Sequence, residues 1–315
     1  MTVKKTINWQ KVEEAEKGAF SGRKTYLFRV DLKVKPSEKC AKFEVWIPLP
    51  INTSYQSCIE TKFAGLEPTK ILEDSNFKNK VAYWNFPNLG SKTTYQINQE
   101  SKVWVTPRTA GEIPGNLADY DRTSSDYKLF VKSNPYFNFD DPRIRGLAKR
   151  LKGDKKQVFE ITCDFYNYVR DNLTYGNPTE GLYSSIDALE MDKVDCGGFD
   201  SLLGALYRCV GIPARLLSGF LAGYPGEHYH AWLEFMTPVG EWVPADPSVE
   251  HLRLSGRDFK PGGLGRVGND RIVVSIGSDI LLSGKRFPLL QLPVVESLPA
   301  SSVIVSRIVE ALEVK

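Results

Sequence analysis

The spacing of hydrophobic residues changes along the chain and divides it into two parts. In residues 26–106 apolar and polar residues alternate, as in YLFRVDLKVK, where Phe28, Val30, Leu32 and Val34 fall on one side. The segments KFEVWIPLP, KVAYWNFP and TYQINQESKVWV continue in the same way, with turn-forming residues between them. Alternation at every second residue is the pattern of a half-buried β-strand. Several such strands in succession predict an antiparallel β-sandwich.

After a stretch rich in Gly, Pro, Ser and Asp, the period becomes that of a helix. DDPRIRGLAKRLKG begins with Asp and Pro, a favourable helix start, and DKKQVFEITCDFYNYVRDNLTY follows with near-helical spacing. The apolar positions after Cys196 form one stripe of a straight α-helix. They are Phe199, Leu202, Leu203, Leu206 and Val210. Gly211 ends this helix, and GIP leads into the strand ARLLSGF.

These segments predict an α+β fold. The expected parts are an N-terminal extension (1–25), a β-sandwich-like domain (26–106), a linker (107–140), a core of helices and antiparallel strands (141–260), and a C-terminal β-rich segment (261–315). Within the last part, RIVVSI and VIVSRIVEAL are expected to be peripheral strands.

Composition narrows the class of protein. With 315 residues, 42% hydrophobic and 25% charged, the chain has the make-up of an ordinary soluble globular protein. The net charge of +3 comes from dispersed residues, so we expect no nucleic-acid partner. No apolar run is as long as a membrane-spanning helix, so no membrane partner is expected. The N-terminus lacks the apolar segment of a secretory signal, and five cysteines without a CxxC pair indicate free thiols, so we expect a cytoplasmic location.

Cys196 lies at the predicted start of a helix. Unpaired backbone N–H groups and the positive end of the helix dipole favour a thiolate there. Gly197 and Gly198 would let another chain or a substrate approach closely. Taken alone, such a cysteine is more often a packed thiol, which is our interpretation of Cys163 and Cys209.

Two of the three histidines, His228 and His230, lie in the strand HYHAWLEFM, and EWVPADP follows after the short loop TPVG. If residue 236 pairs with residue 240 in this hairpin, His230 lies opposite Asp246. Cross-strand partners have Cβ atoms about 4.5–5.5 Å apart, which allows a hydrogen bond. An Asp in that place orients the imidazole, and the other ring nitrogen can take a thiol proton. Cys196, His230 and Asp246 therefore predict a Cys-His-Asp triad for covalent acyl transfer.

The motifs DCGGFDSLLGALYRCVGIPARLLSGF, HAWLEF and EWVPADPS resemble the transglutaminase-like superfamily of papain-fold enzymes, over about residues 155–250. The resemblance implies a papain-like transglutaminase core, in which the helix-start Cys packs on an antiparallel sheet, with an N-terminal β-sandwich-like domain. It also implies roles for three residues: Cys196 as nucleophile, His230 as general base and Asp246 as its orienting partner.

One feature of the animal members is missing. They place a Trp before the Cys to stabilise the oxyanion, whereas this chain has no Trp between Trp104 and Trp232. The candidate donors are the backbone N–H of Cys196 and the hydroxyl of Tyr175 or Tyr183.

The expected function is a cysteine enzyme that attacks an amide of a protein or peptide and forms a thioester on Cys196, with hydrolysis favoured over cross-linking. One alternative is a transglutaminase that passes the acyl group to an amine. Another is a non-catalytic protein-binding module on the same fold. A metal site built from Cys196, His228, His230 and Asp246 is chemically possible but the least favoured, so we expect neither a metal nor a cofactor.

Overall fold

The computed structural model describes residues 9–36, 40–89, 93–299 and 303–314. Residues 1–8 of the expected extension lie outside the described residues. The described helices are α1 (Trp9–Ala19), α2 (Ser125–Phe130), α3 (Pro142–Lys152), α4 (Val158–Asn172), α5 (Asp187–Glu190), α6 (Cys196–Cys209) and α7 (Pro247–Leu254). None of these described helices combines the length and the apolar character needed to cross a membrane.

The described strands come in three runs along the chain, after α1, after α6 and after α7. They are β1 (Lys24–Pro36), β2 (Cys40–Pro48), β3 (Gln56–Gly65), β4 (Lys70–Glu73), β5 (Lys80–Leu89), β6 (Tyr95–Val105), β7 (Arg108–Thr109), β8 (Ala214–Leu221), β9 (Tyr229–Met236), β10 (Trp242–Ala245), β11 (Arg266–Val267), β12 (Arg271–Ile276), β13 (Ile280–Leu282), β14 (Lys285–Phe287), β15 (Val294–Leu298) and β16 (Val303–Glu313). An α+β fold with antiparallel sheets is therefore confirmed.

Two four-stranded antiparallel sheets form the sandwich that the alternating segments predict. Their strand orders are β16-β1-β6-β3 and β15-β2-β5-β4. The apolar side chains of β1 that the pattern assigns to one face are buried: Phe28, Val30, Leu32 and Val34. Each sheet takes one strand from the C-terminal part of the chain, and Val30 of β1 pairs with Val309 of β16. The sandwich is thus assembled from segments far apart in sequence.

The second unit packs helices on one antiparallel sheet of order β10-β9-β8-β12. Helix α6 lies against β8 and β9, and α3, α4 and α7 contact it from other sides. Its predicted apolar stripe is buried from Phe199 to Leu206, and every residue from Cys196 to Arg208 is buried. Gly211 follows the helix with a φ of +87°, a left-handed conformation that glycine adopts without strain. Because neighbours surround α6, its first turn has a fixed position.

Strand β12 differs from the expectation of a peripheral strand. It stands at the end of its sheet, yet its residues from Arg271 to Ser275 are buried. Ile272 and Val274 belong to the hydrophobic core of the sandwich, whereas Val273 packs against Trp232. The sandwich covers this sheet, so the strand is interior, as its continuous apolar run would allow. The same strand brings an arginine into the core.

Candidate active site

Cys196 occupies the first position of α6, as the helix pattern predicts. Asp195 precedes it as the N-cap, and its carboxylate accepts the backbone N–H of Gly198 at 3.4 Å. The Cys196 side chain is buried, and the backbone N–H of Ala231 in β9 acts to lower the pKa of its thiol. Since Ala231 follows His230 directly, α6 places the thiol beside the part of β9 that bears the histidine.

The two glycines after Cys196 make room for the chain's own side chains. A Cβ on Gly197 would lie 2.8 Å from Leu182 Cδ1, and one on Gly198 would lie 2.5 Å from Val194 Cβ. Both distances are far below the roughly 3.5–4.0 Å at which carbon atoms pack. The glycines therefore allow another part of the chain to pack closely on the helix start, and the approach of a substrate over them stays a prediction.

His230 and Asp246 form a buried hydrogen bond. Imidazole Nε2 lies 2.8 Å from carboxylate Oδ2, and both side chains are buried. The other carboxylate oxygen, Oδ1, accepts the backbone N–H of Val249 at 3.2 Å, because Asp246 is also the N-cap of α7. With Nε2 engaged, Nδ1 is the ring nitrogen that remains for the thiol. The carboxylate is held through both oxygens, so it fixes the plane of the imidazole.

The strand register behind this contact differs from the expected one. Met236 pairs with Trp242, whereas the sequence predicts pairing with residue 240. A backbone hydrogen bond from Thr237 N–H to the carbonyl of Glu241 closes the loop 238–240, so β10 begins later than expected. The shift is two residues, and an even shift keeps side chains on the same face of the sheet. Asp246 therefore still reaches His230, from just beyond the end of β10.

Arg271, which the sequence analysis did not single out, joins the pair. Its Nη2 donates to Asp246 Oδ2 at 3.1 Å and to the carbonyl of Pro261 at 2.7 Å, and its Nη1 donates to Asp270 Oδ1 at 2.7 Å. Burial alone would raise the pKa of Asp246, but the charges of His230 and Arg271 outweigh it and hold that pKa well below its usual range. A lone Arg at the head of an apolar strand was the available signal, since buried charges need partners.

The environment of the thiol opposes the expected thiolate. Burial raises the pKa of the Cys196 thiol well above its usual value, and the neighbouring Asp195 carboxylate adds to the effect. A helix N-terminus stabilises a charge by about 0.3–1 kcal/mol, whereas full burial can shift a pKa by up to about 3–5 units. Desolvation is therefore the larger effect, and the thiol of the free protein is protonated. A base has to remove its proton before the sulfur can attack.

Asp200 lies one turn after Cys196 and is fully buried. Among the described residues, neither of its carboxylate oxygens has a hydrogen-bond partner. Burial raises the pKa of this carboxyl well above its usual value, and the charges of Asp246 and Asp195 raise it further. Asp200 thus keeps its proton to a higher pH than an ordinary carboxyl does.

The two tyrosines considered for the oxyanion lie in different surroundings. The Tyr183 hydroxyl donates to the carbonyl of Asn177 at 2.8 Å. Burial raises the pKa of the Tyr175 hydroxyl, and the charges of Cys196 and Asp195 add to this. Tyr175 is therefore a protonated donor within electrostatic reach of the thiol, whereas the Tyr183 hydroxyl is already bonded to a carbonyl.

A metal site built from the four candidate ligands would need His228 beside Cys196, His230 and Asp246. Its Nε2 instead lies 2.8 Å from the carbonyl oxygen of Pro225. In the described ranges, no group of three or more His, Cys, Asp and Glu side chains is arranged to hold a metal ion.

Comparison with known families agrees with the motifs. Residues 145–247 match the family model of the transglutaminase-like superfamily, which confirms the resemblance and the transglutaminase-like core. In three dimensions, 93% of this chain superposes on 91% of a candidate cysteine protease from Cytophaga hutchinsonii, with a TM-score of 0.61 and 15% sequence identity. That similarity concerns the fold, and it includes the sandwich as well as the core.

Two sequence relatives are similar over shorter stretches. The Bacillus subtilis protein YebA is 27% identical over an alignment of 201 residues that covers 49% of this chain and 27% of the relative. A protein-glutamine γ-glutamyltransferase of Pseudomonas aeruginosa is 26% identical over an alignment of 125 residues that covers 35% of this chain and 19% of the relative. The matches thus span about a quarter and a fifth of the lengths of these relatives.

Replacing the buried acid by a neutral side chain of the same shape, in D200N, tests its protonation state. A carboxyl with a raised folded-state pKa costs stability as pH rises from the unfolded value of about 4, by about 1.4 kcal/mol per pH unit. We expect D200N to match the wild type near pH 4 and to be the more stable protein at pH 7, in urea denaturation. The exposed Asp154 provides the control D154N, which should keep the wild-type pH dependence. A D200N protein less stable than wild type at pH 7 would contradict the assignment.

Proposed function

We propose that the protein is a cysteine-dependent acyl-transfer enzyme that acts on amide bonds of a protein or peptide, more as a hydrolase than as a cross-linking enzyme. The observation behind the proposal is the hydrogen-bonded His230–Asp246 pair beside the thiol at the start of α6. The superfamily match over residues 145–247 supports the same class of chemistry. The fold shared with a candidate cysteine protease over almost the whole chain is consistent with hydrolysis.

In the acylation step, His230 acts as the general base. Its Nδ1 takes the thiol proton while Cys196 Sγ attacks the amide carbonyl carbon. Asp246, bonded to Nε2, keeps the ring oriented and stabilises the imidazolium that forms. The imidazolium then gives its proton to the departing nitrogen, the C–N bond breaks, and a thioester remains on Cys196.

In the second step an acceptor takes the acyl group. Nδ1 of His230 removes a proton from the acceptor, which attacks the thioester carbonyl, and the thiolate that leaves is reprotonated from the imidazolium. Water as acceptor gives a carboxylic acid, and a primary amine gives a new amide. The same three groups serve both outcomes, so access of water to the thioester decides between them.

The amine acceptor is the second candidate. It is favoured by the similarity to the Pseudomonas protein-glutamine γ-glutamyltransferase, although that match covers 35% of this chain. A non-catalytic binding module is disfavoured, because the buried His–Asp pair beside a thiol would have no use in it.

The proposed oxyanion donors are the backbone N–H of Cys196 and the Tyr175 hydroxyl. The hydroxyl lies within electrostatic reach of the thiol and stays protonated, so it can donate a hydrogen bond to the charged oxygen.

The first test compares C196A, H230Q and the control C209A with the wild type on β-casein. New peptides report cleavage, released ammonia reports acylation at glutamine whichever acceptor follows, and bound dansylcadaverine reports amine transfer. We expect C196A to abolish all Cys-dependent signals and H230Q to lower the rate by about 10²–10⁴-fold, since general-base catalysis has that size. C209A, which changes a half-buried thiol at the other end of α6, should keep wild-type rates.

New peptides, or ammonia release in excess of dansylcadaverine incorporation without cross-linked casein, would support hydrolysis. Ammonia release equal to dansylcadaverine incorporation, with no new peptides, would favour the transglutaminase. If C196A keeps the wild-type signals, the proposed chemistry is wrong.

The second test removes one hydroxyl at a time. Y175F should lower kcat by about 10²–10³-fold with little change in KM, because an oxyanion donor acts in the transition state. Y183F serves as the control, since that hydroxyl is bonded to a backbone carbonyl, and it should retain kcat. Equal rates for Y175F and Y183F would exclude Tyr175 as a donor.

A further inference from the structure

The buried guanidinium of Arg271 and the imidazole of His230 share one oxygen. Arg271 Nη2 donates to Asp246 Oδ2 at 3.1 Å, and His230 Nε2 lies 2.8 Å from the same atom. The side chains of Arg271 and Asp246 have no exposed surface. We propose that Arg271 is a positioning residue for the base, acting on His230 only through the Asp246 carboxylate. This inference rests on the proposed function, because it presumes that His230 is the base.

The fold holds the contact from several directions. Arg271 is the first residue of β12 and pairs with Leu221 of β8, so its backbone is fixed by the sheet. The loop that contains Gly262 closes over the guanidinium. A Cβ at Gly262 would lie 3.0 Å from Arg271 Nη2 and 3.4 Å from Asp246 Oδ2, and its φ of +143° suits glycine. The guanidinium has little freedom to turn away from the carboxylate.

A second carboxylate balances the arginine. Asp270 Oδ1 accepts from Arg271 Nη1 at 2.7 Å, and Asp270 Oδ2 accepts from the Tyr224 hydroxyl at 2.9 Å. Asp246, Arg271 and Asp270 together therefore bear one negative charge. One negative charge is what a protonated His230 needs for neutrality in a buried site.

Other groups also face Asp246. From α6 and its N-cap come Cys196, Asp195 and Asp200, and the charge of Asp246 adds to the burial that raises the pKa of Cys196 and of Asp200. Helix α4 contributes Tyr166, whose hydroxyl donates to the Asp246 carbonyl at 3.1 Å. Of the groups described here, only His230 and Arg271 bring positive charge to the carboxylate.

The loss of Arg271 has a defined consequence for the thiol. The Asp246 carboxylate would stay buried with a single partner on Oδ2 and would take up a proton at higher pH. A protonated Asp246 stabilises an imidazolium poorly, so proton transfer from Cys196 to His230 would become harder. The pH at which Cys196 becomes reactive should therefore rise.

The experiment measures the pH dependence of Cys196 alkylation by iodoacetamide, followed on the Cys196 peptide by mass spectrometry. It needs no substrate. Four variants are compared with the wild type: R271M, R271K, H230Q and R208M. Arg208 is the matched control, a buried arginine whose guanidinium donates to the carbonyls of Ala214 and Lys132 and not to a carboxylate.

We expect the R271M profile to move to higher pH by about one unit, which is a roughly tenfold slower reaction at neutral pH. The R271K profile should move less, because lysine keeps the charge but cannot hydrogen-bond to Asp246, Asp270 and Pro261 at the same time. R208M should overlay the wild type. If R271M does not fold, the R271K profile is the test: a shift to higher pH supports the inference, and an unchanged profile contradicts it.

The other outcomes have distinct meanings. If R271M overlays the wild type while H230Q is displaced, Arg271 is merely structural and only this inference fails. An R208M shift as large as that of R271M would overturn it too, since any buried arginine would then have the same effect. If H230Q itself overlays the wild type, the base is not coupled to the thiol, and the proposed function fails together with the inference.

Discussion

His230 and Asp246 meet at the end of a β-hairpin, and the organisation of the site follows from their hydrogen bond. The bond joins strand β9 to the first turn of α7, because Asp246 also caps that helix. It leaves imidazole Nδ1 as the nitrogen available to the thiol, and it gives the imidazolium a fixed counter-charge. Through Arg271 the same carboxylate connects to β12, which is covered by the sandwich. The base is thus held within the second unit, by a strand that the sandwich covers.

Burial determines how the thiol reacts, and it also lowers the stability of the fold. A desolvated thiol with a raised pKa is a poor nucleophile until a base takes its proton, so reactivity depends on the neighbouring imidazole. Electrostatic interactions are stronger in such a dry site than in water. Asp200, a buried carboxyl whose oxygens lack partners among the described residues, destabilises the fold at neutral pH. Stability is commonly lower where a protein concentrates polar groups for function.

The local parts of this structure follow from the sequence, and the long-range parts do not. The alternation in β1 and the apolar stripe of α6 are set by neighbours in the chain, and both are found as predicted. Because side chains in a hairpin alternate between two faces, the sequence was enough to predict that His230 and Asp246 share a face, although the loop 238–240 shifts the pairing of the strands. Arg271 and the raised pKa of the thiol could not be derived in the same way. Both depend on β12 being covered by the sandwich and on the enclosure of α6, which are contacts between distant segments.

The central claim is that Cys196, activated by His230, forms a thioester. Acid-quenched intact-mass spectrometry after mixing with p-nitrophenyl acetate measures this directly, with p-nitrophenolate release followed in parallel. The expected result is a burst of p-nitrophenolate and a mass gain of one acetyl group, located on Cys196, labile to hydroxylamine and much slower to form in H230Q. An acetyl group found on another residue, or acetylation of Cys196 at the same rate in H230Q, would contradict the claim.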